Sequence, residues 1–249
     1  MTAILTLQKK GVVVLKNIFD AKQLSNLIRI TTQCFQDIET LIQKKGIKQV
    51  KEHLPAQYNF LPYVTSLNIC ALDDYDNLAT TEALNLLKNQ VIKLILTETL
   101  GENFKIDLTQ AWLRKQYAPA NYHELHHPHC WHQDGSLGLD IPLTSAQPYL
   151  NIPLNNLITC WLPLTPCGIQ SPSLKFITQP LQKPLHFTYL NEESLRKIFV
   201  EKDFFSPELN IGDMVIFLNG TLHKTHVNSK MNSDRISLEF RVFQPSKMN

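Results

Sequence analysis

The chain has 249 residues, of which 43% are hydrophobic and 18% charged. That composition excludes a disordered chain and allows a substantial core. The formal net charge is +2, and Lys and Arg form no block, so nothing points to nucleic acid. No stretch approaches the roughly 20 apolar residues of a membrane span, and the apolar run Met1 to Leu7 ahead of Lys9 and Lys10 is too short for a secretory leader.

Five cysteines, Cys34, Cys70, Cys130, Cys160 and Cys167, include no Cys-x-x-Cys pair. An odd, scattered set of this kind reads as reduced thiols of a cytoplasmic protein. Nothing reads as a linker. The expectation is one domain over 1–249, with helical support and an opening strand in 1–105 and a β-barrel core in 106–249.

Lys9-Lys10-Gly11 reads as a turn into a short buried strand, Val12 to Leu15. Asp20 is a helix N-cap ahead of Leu24, Leu27, Ile28, Cys34, Phe35, Ile38 and Ile42, and that helix ends at Lys44-Lys45-Gly46. Residues 50–80 read as loops, and the acidic run Asp73-Asp74-Tyr75-Asp76 reads as solvated. A second helix is expected from Thr80 or Thr81 to Leu100. Its apolar face is Leu84, Leu87, Val91, Ile92 and Ile95. Both helices should pack on the outside of a sheet.

From about residue 105 the pattern becomes one of short strands: Ala111 to Tyr117, Leu157 to Leu164, Leu174 to Ile177, Met214 to Leu218 and Ile236 to Phe243. With no helix expected between them, they imply an antiparallel sandwich or barrel able to hold a small ligand. Gln110, Trp112, Arg114 and Gln116 alternate onto one face, as the lining of a polar pocket would. Trp161 lies inside an aliphatic run and reads as core.

The chemistry concentrates in Trp131-His132-Gln133-Asp134-Gly135. Two residues apart on an extended segment, His132 and Asp134 project to one side and can grip one ion. A second histidine comes late in the chain, at His223 or His226. Two His and one carboxylate on one face is the donor set of non-heme Fe(II) oxygenases. His123, His126, His127 and His129 fit no single tetrahedral site and read as substrate-facing or solvated. Gly135 and Gly138 allow a turn or a close approach to a ligand.

Gly212-Asp213-x-x-x-Phe217, then His223, Thr225, Asn228 and Arg235, with His132-Gln133-Asp134 upstream, resembles the phytanoyl-CoA dioxygenase family of Fe(II)/2-oxoglutarate-dependent oxygenases. The resemblance runs from about Gln110 to the C-terminus and extends weakly to Val12–Leu15. It implies a mostly β fold with flanking helices around a double-stranded β-helix (jelly-roll, cupin-like) core. It also implies Fe(II), 2-oxoglutarate as cosubstrate, and dioxygen. His223, followed by Thr225 and Asn228, matches the family's distal ligand, and His226 does not. The metal ligands implied are therefore His132, Asp134 and His223. Arg235, with Arg241 as fallback, would pair with the far carboxylate of 2-oxoglutarate, Thr225 would assist it, and Trp161 and Trp112 would line the pocket.

The activity implied is hydroxylation of an unactivated C–H bond in a small organic or acyl substrate. Retention of Asp134 agrees, since related halogenases replace that carboxylate with a small residue. Three other readings stay open: a tailoring oxygenase that desaturates or rearranges a natural product, a cupin-like enzyme that does not use 2-oxoglutarate, and a catalytically silent barrel that binds metal or ligand.

Overall fold

The computed structural model describes residues 2–46, 60–62, 65–70, 78–121 and 128–245. Its elements are α1 (Ala3–Lys10), β1 (Val12–Leu15), α2 (Ala21–Lys45), β2 (Phe60–Pro62), β3 (Ser66–Cys70), α3 (Leu78–Leu86), α4 (Gln90–Leu100), β4 (Lys105–Gln116), β5 (Leu157–Pro163), β6 (Ser173–Ile177), α5 (Glu192–Ile198), β7 (Phe204–Phe205), β8 (Met214–Leu218), β9 (His223–His226) and β10 (Arg235–Phe243). The acidic run at 73–76 and the histidines at 123, 126 and 127 lie outside the described residues.

The strands form two antiparallel sheets. The larger runs in the order β1-β8-β5-β10-β4-β3-β2, and the smaller in the order β7-β6-β9. Residues in β10 alternate strictly. Ile236, Leu238, Phe240 and Val242 turn outward and join Leu24, Leu27, Phe35 and Ile38 of α2 and Ile92, Ile95 and Leu96 of α4 in the main hydrophobic core. The helices therefore cover the outer face of the larger sheet, as their amphipathic spacing demands. Truncating a ring such as Phe240, which has no exposed surface, would cost about 3–5 kcal/mol.

The inner face holds a second, smaller core. Trp161, Val215 and Phe217 of the large sheet pack there with Leu174 and Phe176 of the small one. Several further inward positions are polar. Arg235 pairs in register with Gln116, Ser237 with Arg114 and Glu239 with Trp112. The predicted shared face of Gln110, Trp112, Arg114 and Gln116 is thus the inner one, turned toward the small sheet.

Helix α2 begins and ends as its sequence dictates. The Asp20 side chain accepts from Lys22 N, Gln23 completes a capping box, and the backbone N–H of Gly46 closes on Ile42. The single helix expected from residue 80 to 100 is instead two. The backbone turns at Lys88 and Asn89, and the Asn89 side chain accepts from Val91 N and Ile92 N to start α4 afresh. Nor is the strand-rich half free of helix. α5 is capped by Asn191, with Glu192 and Glu193 in its first turn and Arg196 and Lys197 in its last, the charge order that a helix dipole favours.

Candidate metal centre

His132 lies on a single antiparallel bridge with His223, the first residue of β9. Each donates its backbone N–H to the other's carbonyl at 3.0 Å. Gln133 continues the extended path, with φ −123° and ψ 127°, before the chain tightens into a 3-10 turn at Asp134–Ser136. Alternation then sends His132 and Asp134 one way and Gln133 the other. The Gln133 side chain is buried, accepts from Leu185 N at 2.8 Å and donates to Gly220 O at 3.2 Å. It pins the segment carrying His132 and Asp134 from behind, a role its sequence context did not reveal.

The three side chains predicted as ligands converge. One ligand atom from each of His132, Asp134 and His223 lies within 4.8 Å of the others. Asp134 Oδ1 is 3.6 Å from His132 Nε2 and 3.7 Å from His223 Nε2. Around an ion with bonds of about 2.1 Å, adjacent ligands sit roughly 3.0–3.4 Å apart, so small side-chain movements would complete the site.

The tautomers fit as well. His132 Nδ1 lies 2.7 Å from the Cys130 carbonyl, and His223 Nδ1 lies 3.0 Å from the Thr221 carbonyl. A carbonyl can only accept, so each Nδ1 carries the proton and each Nε2 presents its lone pair to the common point. His226, by contrast, alternates to the other face of β9 from His223 and Thr225.

Electrostatics hold the donors in ligand form. Burial, reinforced by neighbouring His223, pushes His132 down to about 4, and burial likewise lowers His223. Burial alone would raise the Asp134 carboxyl. Instead His223, Arg241 and His132 hold it far below the usual carboxylate range. At neutral pH the set is two neutral imidazoles and one carboxylate, the protonation that divalent metal binding requires.

Asp134 is held at both oxygens. The Thr159 hydroxyl donates to Oδ2 at 2.5 Å, and Arg241 donates to Oδ1 at 2.8 Å. Sequence order had offered Arg241 only as an alternative to Arg235. Gly135 lies in the 3-10 turn and packs closely on Asn219, whose carbonyl accepts its N–H at 3.0 Å. A side-chain carbon there would meet Asn219 Cβ at 2.8 Å.

Arg235 occupies a separate inner position. It is 1% exposed. Its guanidinium carbon lies 5.1 Å from the centre of the Trp161 ring, and it donates a long bond of 3.3 Å to Ser173 O. Arg235 Nε, Trp161 Nε1 and Ser237 Oγ are buried without a hydrogen-bond partner among the described residues. Three unpaired polar atoms, one of them on the buried guanidinium itself, are costly to leave unsatisfied and could donate to an anion. Trp161 was expected in the core and as pocket lining, and it packs in the inner cluster. Thr225 is buried opposite Leu174, next to Ser173. Trp112 is half-buried, with Arg241 over its ring at 4.8 Å.

Outside the bridge between His132 and His223 sits Glu192. It accepts from Trp131 Nε1 at 2.9 Å, Lys224 at 2.9 Å and Lys175 at 3.1 Å. It thereby ties the residue before His132 to the residue after His223. His129, the member of the histidine-rich loop that is described, stands with its ring 5.0 Å from that of His132.

No family model matches the sequence, and no curated protein matches it. Solved structures do. EctD from S. alaskensis with bound Fe superposes with a TM-score of 0.65 at 14% identity, over 98% of this chain and 77% of that one. The non-heme alpha-ketoglutarate-dependent epimerase SnoN from nogalamycin biosynthesis gives 0.59 at 12%, over 97% and 81%. HygX from Streptomyces hygroscopicus, solved with nickel and 2-oxoglutarate, gives 0.57 at 12%, over 99% and 88%. The fold is the double-stranded β-helix that these proteins share.

Proposed function

We propose that this chain is an Fe(II)- and 2-oxoglutarate-dependent dioxygenase that hydroxylates an unactivated C–H bond of a small organic or acyl substrate. The observation that carries the reading is the aim of the two imidazoles. Both Nδ1 atoms are tied to carbonyls, so both Nε2 atoms face Asp134 Oδ1. Two nitrogens and one oxygen on one face suit iron and leave the remaining positions open. Iron bound there, with 2-oxoglutarate and dioxygen, would supply the oxidising chemistry, converting the keto acid to succinate and carbon dioxide.

The protein's part is binding, orientation and exclusion of water. Arg235 would receive the far carboxylate of 2-oxoglutarate with a planar fork matched to it, and its orphaned neighbours support that assignment. Thr225 and Trp161 would complete the cradle, and Trp112 would wall the inner face. Phe176 and Phe217 flank the His223 ring, with centroids at 6.0 and 4.5 Å, and would keep water from that side of the metal. Asp134, a full carboxylate ligand, supports hydroxylation. A small-molecule substrate is supported by fold neighbours solved with 5-hydroxyectoine and with nogalamycin RO. A second outcome, rearrangement instead of hydroxylation, is supported by the epimerase and the carbocyclase among those neighbours.

The test is succinate formation by anaerobically purified protein given Fe(II), ascorbate, 2-oxoglutarate and air. Turnover that vanishes in His132→Ala and collapses in Arg235→Ala is expected. Wild-type protein that neither turns over nor binds Fe(II) and 2-oxoglutarate anaerobically would overturn the reading.

A further inference from the structure

The inner face of β10 carries two arginines, and the register gives them different surroundings. Arg235 lies opposite Gln116, at one end of the strand. Arg241 lies opposite Thr159 of β5, where the ladder to β4 slips between Phe240 and Val242. Thr159 and Arg241 are thus cross-strand partners, and both reach Asp134. Arg241 is 6% exposed, and its second terminal nitrogen donates to Gln110 Oε1 at 2.6 Å. Fork, amide and Trp112 ring fix the guanidinium in place. The oxygen it holds, Oδ1, is the one that faces both imidazoles.

We propose that Arg241 is a positioning residue that acts through Asp134: it is the counter-charge of the carboxylate while the site lacks metal, and it shares Oδ1 with the ion once metal binds. The proposal rests on the reading of His132, Asp134 and His223 as metal ligands. Asp134 is fully buried, and a buried carboxylate without a cation is strongly destabilising. Arg241 removes that penalty in the metal-free protein. It also places a positive charge against the atom that must bind a dication, so it moderates the pull on the metal. Orientation does not depend on it alone, because Thr159 grips Oδ2 independently. The two holders therefore have separable tasks: Arg241 sets charge and Thr159 sets aim.

The test uses Co(II), whose visible ligand-field bands report donor geometry, in equilibrium titration and in thermal melts with and without the ion. Arg241→Gln should lower the melting temperature of the metal-free protein and enlarge the rise produced by Co(II). Because a like charge is removed, its affinity for Co(II) should increase about tenfold, opposite in sign to the loss that removing a partner of a metal ligand ordinarily causes. Thr159→Val changes aim but not charge. It should weaken Co(II) binding by about 10–100-fold and shift the bands. Arg241→Lys keeps the charge but not the fork and should melt and bind closer to the wild type than Arg241→Gln does, which also serves if Arg241→Gln fails to fold. Equal Co(II)-induced rises in wild type and Arg241→Gln, or an Arg241→Lys variant indistinguishable from Arg241→Gln, would overturn the proposal. So would unchanged Co(II) binding in Arg241→Gln with a loss confined to 2-oxoglutarate affinity, which would make Arg241 a cosubstrate residue. Wild-type protein that binds no Co(II) would instead remove the metal reading itself.

Discussion

His132 and His223 are far apart in sequence, yet they exchange both backbone hydrogen bonds at 3.0 Å and hold their rings tilted at 50° with centroids 4.1 Å apart. The bridge sets the spacing of the two nitrogen donors through main chain, leaving little to side-chain freedom. Replacing either histidine by alanine should therefore leave the fold intact and lower Fe(II) or Co(II) affinity by more than about 100-fold, beyond the usual cost of losing an outer partner. Anaerobic calorimetric titration checks this. Retention of near wild-type affinity in both variants would remove these two residues from the site.

Arg235 presents a trade between stability and binding. Its Nε is buried and unpartnered, and burial pushes the guanidinium down to about 10. A methionine of similar volume would relieve an incompletely satisfied buried charge. Arg235→Met is expected to melt at or above the wild-type temperature without ligand, yet to lose the stabilisation that 2-oxoglutarate confers on the Co(II)-loaded protein. Paired melts measure both. A variant that is strongly destabilised without ligand would mean that Arg235 is structural.

Glu192 should matter in a pH-dependent way. Burial opposes its ionisation, but hydrogen bonds from Lys224, Trp131 and Lys175 hold it down at about 2, against an ordinary 4.5. A depressed carboxyl stabilises the fold above its unfolded value and loses that contribution as pH falls toward the folded one. Glu192→Gln is expected to melt about 2–4 °C below the wild type at pH 7, the shift that roughly 1 kcal/mol gives in a chain of this size. The gap should narrow as pH drops from about 4.5 toward 2. A gap that stays constant across that range would deny the carboxylate its part.

Thiol reactivity should follow burial. Cys130 is exposed, whereas Cys160 and Cys167 are buried, and burial raises both buried thiols well above their usual value. Brief alkylation of native protein, read by peptide mapping, should label Cys130 and spare Cys160 and Cys167 until denaturant is added. Rapid native labelling of Cys160 would contradict the packing of β5 against β10.

Much of this site was legible in the chain because its signals are local or periodic. His132 and Asp134 share a side of one extended segment. Gln110, Trp112, Arg114 and Gln116 alternate onto one face, and Asp20 caps α2 in the usual way. The break at Asn89 was not legible, because Leu84, Leu87, Val91 and Ile95 keep helical phase across it and a lone asparagine is a weak cue. Strand β9 has four residues, too few to display a period. The ties of Glu192 to Trp131, Lys175 and Lys224 join segments 61, 17 and 32 positions apart, and no local pattern encodes such a meeting. The different surroundings of Arg235 and Arg241 were hidden for a related reason. Both face inward on β10, and only the partners across the sheet tell them apart.

The place of β10 has a consequence for how the protein is made. It is the last described strand of the chain and the middle strand of the larger sheet, with β5 on one side and β4 on the other. While a ribosome is still extending the chain, β4 and β5 have a gap between them, and their inner and outer faces are open to water. The sheet cannot knit until Arg235–Phe243 has emerged, so nascent chains should rely on chaperones to keep those edges apart. Deletion of Arg235–Phe243 should yield insoluble protein.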